Sequence, residues 1–402
     1  MDSKIAMSKI DIAWLTSPIG LSITTQAAEF PDSFSAVTKL RQSHPEVDPE
    51  LIGQAISQAN LKLKADPDLP NNFLLTDDGL QQATRPAVGR YRAEYILNRF
   101  GQQQIVDLTC GLGFDAYFLA KAGHKVMGIE KDPDVAAIAA HNLKDLNIAV
   151  NCADANTVSI PENTQLVFVD PARRNPSGPR NMFGQAKRIL DPNDWSPSWE
   201  FVKQLATNFR VIAKVAPGMK EESIGDWDAY WISSDGDLVE TMLVSGGTGI
   251  RSAVLINGDE VNVIEGGQTS IAKPVGNFLI VPNSALIRAS ALNFLAEKYD
   301  AGLVNEHIAW LTAESLQGDL DRSGAQFFKI NSVEKFNEKT LAKSIASWGA
   351  GSLTMMTRGV ELDPELLRRK ILKNPTKGGP EVVIAIYRDD TGTIALICSR
   401  LT

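Results

Sequence analysis

The sequence predicts an α/β protein: a doubly wound, largely parallel sheet, preceded by a helical domain and followed by a smaller α+β domain. Three observations predict this. A short apolar strand, Ile105-Val106, runs through Asp107-Leu108-Thr109-Cys110 into the turn Gly111-Leu112-Gly113-Phe114-Asp115, which opens a helix. Further apolar strands follow at His124–Ile129, Ile148–Cys152 and Leu166–Val169. Strand and helix alternate again from Phe327 to Cys398, as βαββ on an antiparallel, ferredoxin-like sheet.

Composition narrows the class. A chain of 402 residues exceeds one ordinary core and implies several domains. Apolar content of 44% with 22% charged residues is that of a soluble globular protein. No apolar run has the length of a membrane span. Lys4, Lys9 and Asp11 interrupt the N-terminal apolar residues, so no signal peptide is expected. Cys110, Cys152 and Cys398 lack zinc or disulfide-framework spacing, and His44, His124, His141 and His307 form no metal pattern. A reducing cytoplasm and no metal are the expectations. The net charge of −8 argues against a broadly basic surface for nonspecific nucleic-acid binding. From Asp321 onward, however, 13 Lys/Arg stand against 9 Asp/Glu, and a polyanionic partner is expected there.

Residues 1–83 read as helical. Phe34–Arg41 and Pro49–Ala59 have helical spacing, the second with Asp48 as N-cap and Pro49 at its first position. Pro67, Pro70 and Asn71-Asn72 break the chain. The sheet domain is expected over 84–268. It opens on a helix whose Arg85, Arg90, Tyr91 and Arg92 offer charged and aromatic groups to hold a phosphate or stack a base. A polar excursion from Arg173 to Trp199 carries Arg174, Arg180, Lys187 and Arg188 and reads as a substrate loop. Strands follow at Phe209–Val215, Asp228–Ser233, Leu238–Val244 and Arg251–Ile256, the last turning at Asn257-Gly258. A connector spans 269–322, with strand Phe278–Val281 and helices around Leu286–Ala296 and Glu306–Leu311. The last domain, 323–402, carries a basic helix, Pro364–Leu372, capped by Asp363 and bearing Arg368, Arg369 and Lys370, with Lys373 and Lys377 beyond it.

The chemistry lies at the strand ends. Four successive strands close on or near an acid: Asp107, Glu130, Asp154 and Asp170. Gly111-Leu-Gly113-Phe-Asp-Ala116 also fits the G-x-G-x-x-A form of a dinucleotide site. A pyrophosphate would be repelled by so many carboxylates, whereas a sulfonium with a ribose diol and an adenine amine would be attracted. That ligand is S-adenosylmethionine. A carboxylate such as Glu130 can accept from both ribose hydroxyls.

At these residues the chain resembles the class I S-adenosylmethionine-dependent methyltransferases, with their Rossmann-like sheet. The resemblance implies that Asp107–Asp115 is the glycine-rich motif, that Glu130 grips the ribose and that Asp154 faces the adenine. It also implies that Asp170-Pro171 is the acceptor motif. A closer resemblance is to a bacterial group in which this domain precedes a THUMP-like, ferredoxin-like domain. It rests on Arg85-Pro86…Tyr91-Arg92-Ala93, Val169-Asp-Pro-Ala-Arg-Arg174, Ala213-Lys-Val-Ala-Pro-Gly218, Gly236-Asp-Leu-Val-Glu240 and Pro282-Asn-Ser-Ala-Leu-Ile-Arg288. The expected cofactor set is Asp107, Thr109, Gly111, Gly113, Asp115, Glu130, Lys131, Asp154 and Asp170. Asp170, Pro171 and Arg173 are the expected catalytic residues, and Arg85, Arg90, Tyr91 and Arg174 the substrate contacts.

Ala172 and Arg173 stand where amine methylases carry a base-stacking aromatic, which argues against amine methylation. The Asp-Pro-Ala-Arg run is also similar to uracil-C5 methyltransferases, but no cysteine lies between Cys152 and Cys398 to serve as their nucleophile. The reading is a methyltransferase acting on RNA, ribosomal or transfer. The alternatives are a non-catalytic RNA-binding or assembly protein with a retained cofactor site, and an NAD-dependent oxidoreductase.

Overall fold

The computed structural model describes residues 10–173, 189–267 and 270–401. The chain divides into two compact units, Met1–Trp227 with Met242–Gly247, and Asp228–Thr241 with Thr248–Thr402.

The first unit begins with helices α1 (Ile12–Leu15), α2 (Pro18–Ala28), α3 (Ser33–Ser43), α4 (Pro49–Lys64) and α5 (Asp77–Gln82). Asp48 caps α4 as the sequence predicts, its carboxylate accepting from the Glu50 N–H at 2.8 Å. Helix α6 (Pro86–Phe100) then leads into the sheet: β1 (Gln104–Asp107), α7 (Phe114–Lys121), β2 (Lys125–Glu130), α8 (Pro133–Leu143), β3 (Ala149–Cys152), β4 (Leu166–Val169), α9 (Trp199–Leu205), β5 (Arg210–Val215) and α10 (Glu221–Ile224).

The strands pair in parallel in the order β3-β2-β1-β4-β5. The chain winds outward from β1 to β3, then returns to start the other side with β4. The order therefore reverses between β1 and β4, where open α/β sheets leave a ligand crevice beyond the strand ends. β4 and most of β5 are fully buried, as expected for strands covered on both faces.

The helical segment packs on the glycine turn through buried amides. Asn142 of α8 accepts from the Leu74 N–H at 2.8 Å and donates to the carbonyls of Leu74 (3.1 Å) and Leu112 (3.0 Å). Gln58 of α4 brackets the next residue, donating to the Leu75 carbonyl and accepting from its N–H. Phe73 sits edge-on to Tyr117 of α7 with centroids 5.4 Å apart. The Phe73–Leu75 backbone is thereby held without a sheet partner, and the turn acquires a fixed wall.

In the second unit, β6 (Asp228–Ser234) and the start of β7 (Asp237–Val244) are joined by Asp235-Gly236, both at positive φ as a tight hairpin turn requires. β8 (Arg251–Asn257) runs parallel to β6 and antiparallel to β9 (Glu260–Glu265). Next come β10 (Phe278–Pro282), α11 (Ser284–Arg288), α12 (Asn293–Lys298), β11 (Gly302–Asn305) and β12 (Ile308–Ala313). The helix expected over Glu306–Leu311 is thus a β-hairpin. Glu306-His307 form its turn between the paired Asn305 and Ile308, and Trp310 is buried with Leu279, Phe328 and Tyr387. A short apolar run fits either period, and here tertiary burial decides.

The remaining elements are β13 (Ala325–Lys335), α13 (Glu338–Ser347), β14 (Ser352–Arg358), α14 (Pro364–Ile371), β15 (Glu381–Asp389) and β16 (Gly392–Arg400). The sheet order is β11-β12-β10-β13-β16-β15-β14. The expected all-antiparallel C-terminal sheet is corrected in one place. β14 and β15 run parallel, because α14 carries the chain back to the same end before β15 starts. Asp363 caps α14 as expected, accepting from the N–H groups of Glu365 and Leu366.

Replacing Asn142 by Ala strands the Leu74 amide and frees the Leu112 carbonyl. It is expected to lower unfolding stability by about 2–4 kcal/mol in urea titrations, since each buried polar group left unpaired costs about 1–3 kcal/mol. A loss below about 0.5 kcal/mol would mean that the amide does not hold the turn.

Candidate cofactor and acceptor site

β1 delivers Asp107 at the crevice. The Asp107 side chain is fully buried, and one carboxylate oxygen accepts from the Thr109 N–H at 3.1 Å. The other oxygen has no hydrogen-bond partner among the described residues. Burial, then the neighbouring Asp115 carboxylate, pushes the Asp107 carboxyl well above the usual carboxylate range. A buried, half-satisfied carboxylate of this kind suits a cationic ligand group.

The turn after it folds tightly, the Gly113 N–H donating to the Cys110 carbonyl. Gly111 and Gly113 have φ of +53° and +91°, and a side chain on Gly113 would strike Leu143. Glu130, ending β2, accepts from the Gly111 N–H (3.0 Å) through one oxygen and the Asp132 N–H (2.9 Å) through the other. Each oxygen keeps a second lone pair for a diol. Asp154 is exposed just beyond β3. Its carboxylate lies below the ordinary range, chiefly because the Asn156 backbone N–H donates to it at 2.8 Å.

Asp170 follows β4 and is clamped at both ends. Its N–H donates to the Thr109 hydroxyl at 2.6 Å, and its carboxylate lies 2.7 Å from the Lys214 ammonium. The parallel register explains the pair. Val169 pairs with Ala213, so the next residues, Asp170 and Lys214, emerge side by side. Lys214 also donates to the Thr84 hydroxyl at 2.9 Å and lies 4.0 Å from Asp115. Asp115, in the first turn of α7, accepts from Thr84 at 2.8 Å and is paired with Arg92 of α6. Burial raises the Asp115 carboxyl, but Arg92 and Lys214 outweigh it and hold the group below the usual range. The Arg92 guanidinium is buried 5.0 Å from the Phe168 ring centroid.

The structure thus brings together Asp107, Thr109, Gly111, Gly113, Asp115, Glu130 and Asp170, and sets Asp154 at the neighbouring strand end. Lys131 turns away to the Ser196 hydroxyl at 3.1 Å. That contact, with backbone bonds between Ala172 and Ser196, closes the base of the excursion that begins at Arg173. Pro171 is buried and Arg173 half-buried.

Of the expected substrate contacts, Arg85 is exposed at the start of α6 and Arg90 is paired with Asp68 at 3.0 Å. Tyr91 is a correction. It is buried with its ring near Tyr95, so it offers no surface for stacking a base. Arg174 lies outside the described residues, as do Arg180, Lys187 and Arg188.

Sequence reasoning missed Lys214 and Thr84 as site residues, and placed Arg92 only in a general basic patch. One signal was available. Lys214 interrupts a strand that is otherwise apolar from Val211 to Val215, and a lysine there needs an acidic partner.

Comparison with known proteins bears on this site. Residues 105–193 match the methyltransferase domain family, and residues 325–400 match the THUMP domain-like family. An uncharacterised S-adenosylmethionine-dependent methyltransferase of Mycobacterium tuberculosis H37Rv is 26% identical over 334 residues, 81% of this chain and 87% of the relative. The crystal structure of a candidate methyltransferase from Porphyromonas gingivalis W83 shares the fold with a TM-score of 0.69. It is 18% identical, over 95% of this chain and 98% of that one. The chain is a methyltransferase. More specifically, it is S-adenosylmethionine-dependent, with a Rossmann-like catalytic sheet and a C-terminal THUMP-like domain.

The residues present fit that cofactor: a buried carboxylate with one oxygen unpartnered among the described residues for a cation, glycines that admit close approach, and spare carboxylate lone pairs for a diol. When bound, it supplies an electrophilic methyl carbon on a sulfonium.

Asp107 makes a function–stability trade-off measurable. Its carboxyl is raised on folding, so its contribution to stability is present below the unfolded value and lost as pH rises through the folded one. Asp107→Asn is therefore expected to raise Tm near neutral pH, to converge with wild type near pH 3–4, and to weaken cofactor affinity about tenfold or more. A variant less stable than wild type at pH 7 would contradict the assignment.

Proposed function

We propose that the protein methylates RNA, ribosomal or transfer, in the cytoplasm. The observation that carries this reading is the pairing, on one chain, of a methyltransferase domain with a THUMP-like domain that presents a basic face. On α14, Arg368 is partly exposed, Arg369 and Lys370 are exposed, and so are Lys373 and Lys377 just beyond. A groove of about 470 Å³ between α13 and α14 is lined by Lys339, Lys370, Lys373 and Asn374 together with Glu338, which pairs with Lys370 at 3.4 Å. Cations on a small α+β domain suit a phosphate backbone. Among the described residues, no helix is long and apolar enough to cross a membrane.

In this reading Asp107, Thr109, Gly111, Gly113, Glu130 and Asp154 hold the cofactor. Asp115 braces the turn from behind. Asp170 accepts a hydrogen bond from the acceptor nucleophile, Pro171 stiffens its loop, and Arg173 meets a phosphate. Methyl transfer is an in-line displacement, so placement of the acceptor provides most of the catalysis.

The test is transfer of labelled methyl from S-adenosylmethionine to total RNA from a strain lacking the gene, followed by mass mapping of the modified nucleoside. The wild type is expected to label one RNA species. Asp170→Ala should bind S-adenosylhomocysteine within about threefold of wild type and lose about 100-fold or more in turnover, whereas Glu130→Ala should lose binding. Saturable cofactor binding without methyl in RNA would replace this reading with a different acceptor or with the non-catalytic alternative.

A further inference from the structure

Asp170 could be fixed by its loop alone, but the structure gives it a second anchor. Its side chain is 27% exposed, whereas that of Lys214, 2.7 Å away, is 8% exposed. The lysine is therefore the more deeply buried partner of the pair. Two further neighbours lie toward the glycine turn: Thr84, 2.9 Å away, itself bonds Asp115, and Asp115 lies 4.0 Å off in the helix that starts there.

We infer that Lys214 is the positioning residue of the acceptor motif, an ammonium that fixes the Asp170 carboxylate and ties it to the helix following the glycine turn. The role rests on Asp170 being the acceptor contact proposed above.

The charges around the pair support it. Asp107 from β1, Asp115 from α7 and Glu130 from β2 are the acids gathered at this crevice; among the described residues, Arg92 from α6 and Lys214 from β5 are the buried cations. Arg92 pairs with Asp115. Without Lys214, Asp170 would face like charges with its own counter-ion removed, and Coulomb repulsion would drive its side chain outward. The ammonium is the buried partner, and leaving it without its carboxylate would be costly, so the pair restricts the carboxylate to one orientation.

The experiment is hydrogen–deuterium exchange over the segment 169–173, read at Asp170, Ala172 and Arg173 because Pro171 has no amide hydrogen. It is run beside S-adenosylhomocysteine titration and the RNA-labelling assay. Lys214→Met is expected to speed exchange in this segment about tenfold or more while the α8 amides are unchanged. It should leave S-adenosylhomocysteine affinity within about threefold and lower kcat about 100-fold at similar KM. Lys214→Arg should restore most of the exchange protection. In an Asp170→Asn background Lys214→Met should add little, because the two residues act as one unit. Should Lys214→Met fail to fold, Thr84→Val removes one acceptor of the ammonium without changing charge, and faster exchange confined to 169–173 is expected. Wild-type exchange rates in all variants, or a uniform rise in exchange with parallel loss of cofactor affinity, would overturn the inference and leave Lys214 a merely structural ion. Failure of the wild type to bind S-adenosylhomocysteine would instead remove the cofactor reading, so the two failures are distinguishable.

Discussion

Compensation of buried negative charge is the constraint on which the site depends. Parallel strands that end together bring their last side chains together, and here those side chains are acids. An ionised carboxylate taken out of water is expensive unless it is paired. Two of the acids are paired: Asp115 with Arg92, and Asp170 with Lys214. Glu130 is satisfied by backbone N–H groups. Asp107 has one oxygen satisfied and, among the described residues, one without a partner, and it is the group whose proton affinity rises. The site is thus balanced except for one position, and that position suits a ligand carrying positive charge.

The surrounding fold serves this arrangement. The reversal of strand order between β1 and β4 opens the crevice, and the parallel register sets Lys214 beside Asp170. The helical segment before the sheet contributes more than cover. Thr84 enters the charged cluster directly, and the Phe73–Leu75 backbone, bracketed by Gln58 and Asn142, leans on the glycine turn. A turn that must accept positive φ at two glycines is held in place by polar contacts to a different part of the chain.

Much of this was legible in the sequence, for definite reasons. The first four strands, β1 to β4, are short and close on or near an acid, a pattern that survives without knowledge of neighbours. Caps such as Asp48 and Asp363 act within a few residues and are visible in the sequence for that reason. What failed was non-local. Ile308–Ala313 is a short apolar run whose strand character comes only from burial of Trp310 against Phe328 and Tyr387. The parallel pairing of β14 with β15 depends on where α14 returns the chain. Tyr91 carries a base-stacking residue type, but its helix turns it inward. Lys214 and Arg92 become site residues only when β5 and α6 are set against the acids they neutralise.

The most direct test of the central claim is calorimetric titration of the protein with S-adenosylmethionine in buffers of different ionisation enthalpy, across the acid-to-neutral range. If Asp107 is the uncompensated carboxylate that awaits a cation, binding must release protons over the range in which its raised carboxyl is partly protonated. The release should vanish in Asp107→Asn. Binding heats that are independent of buffer at every pH in the wild type would contradict the account.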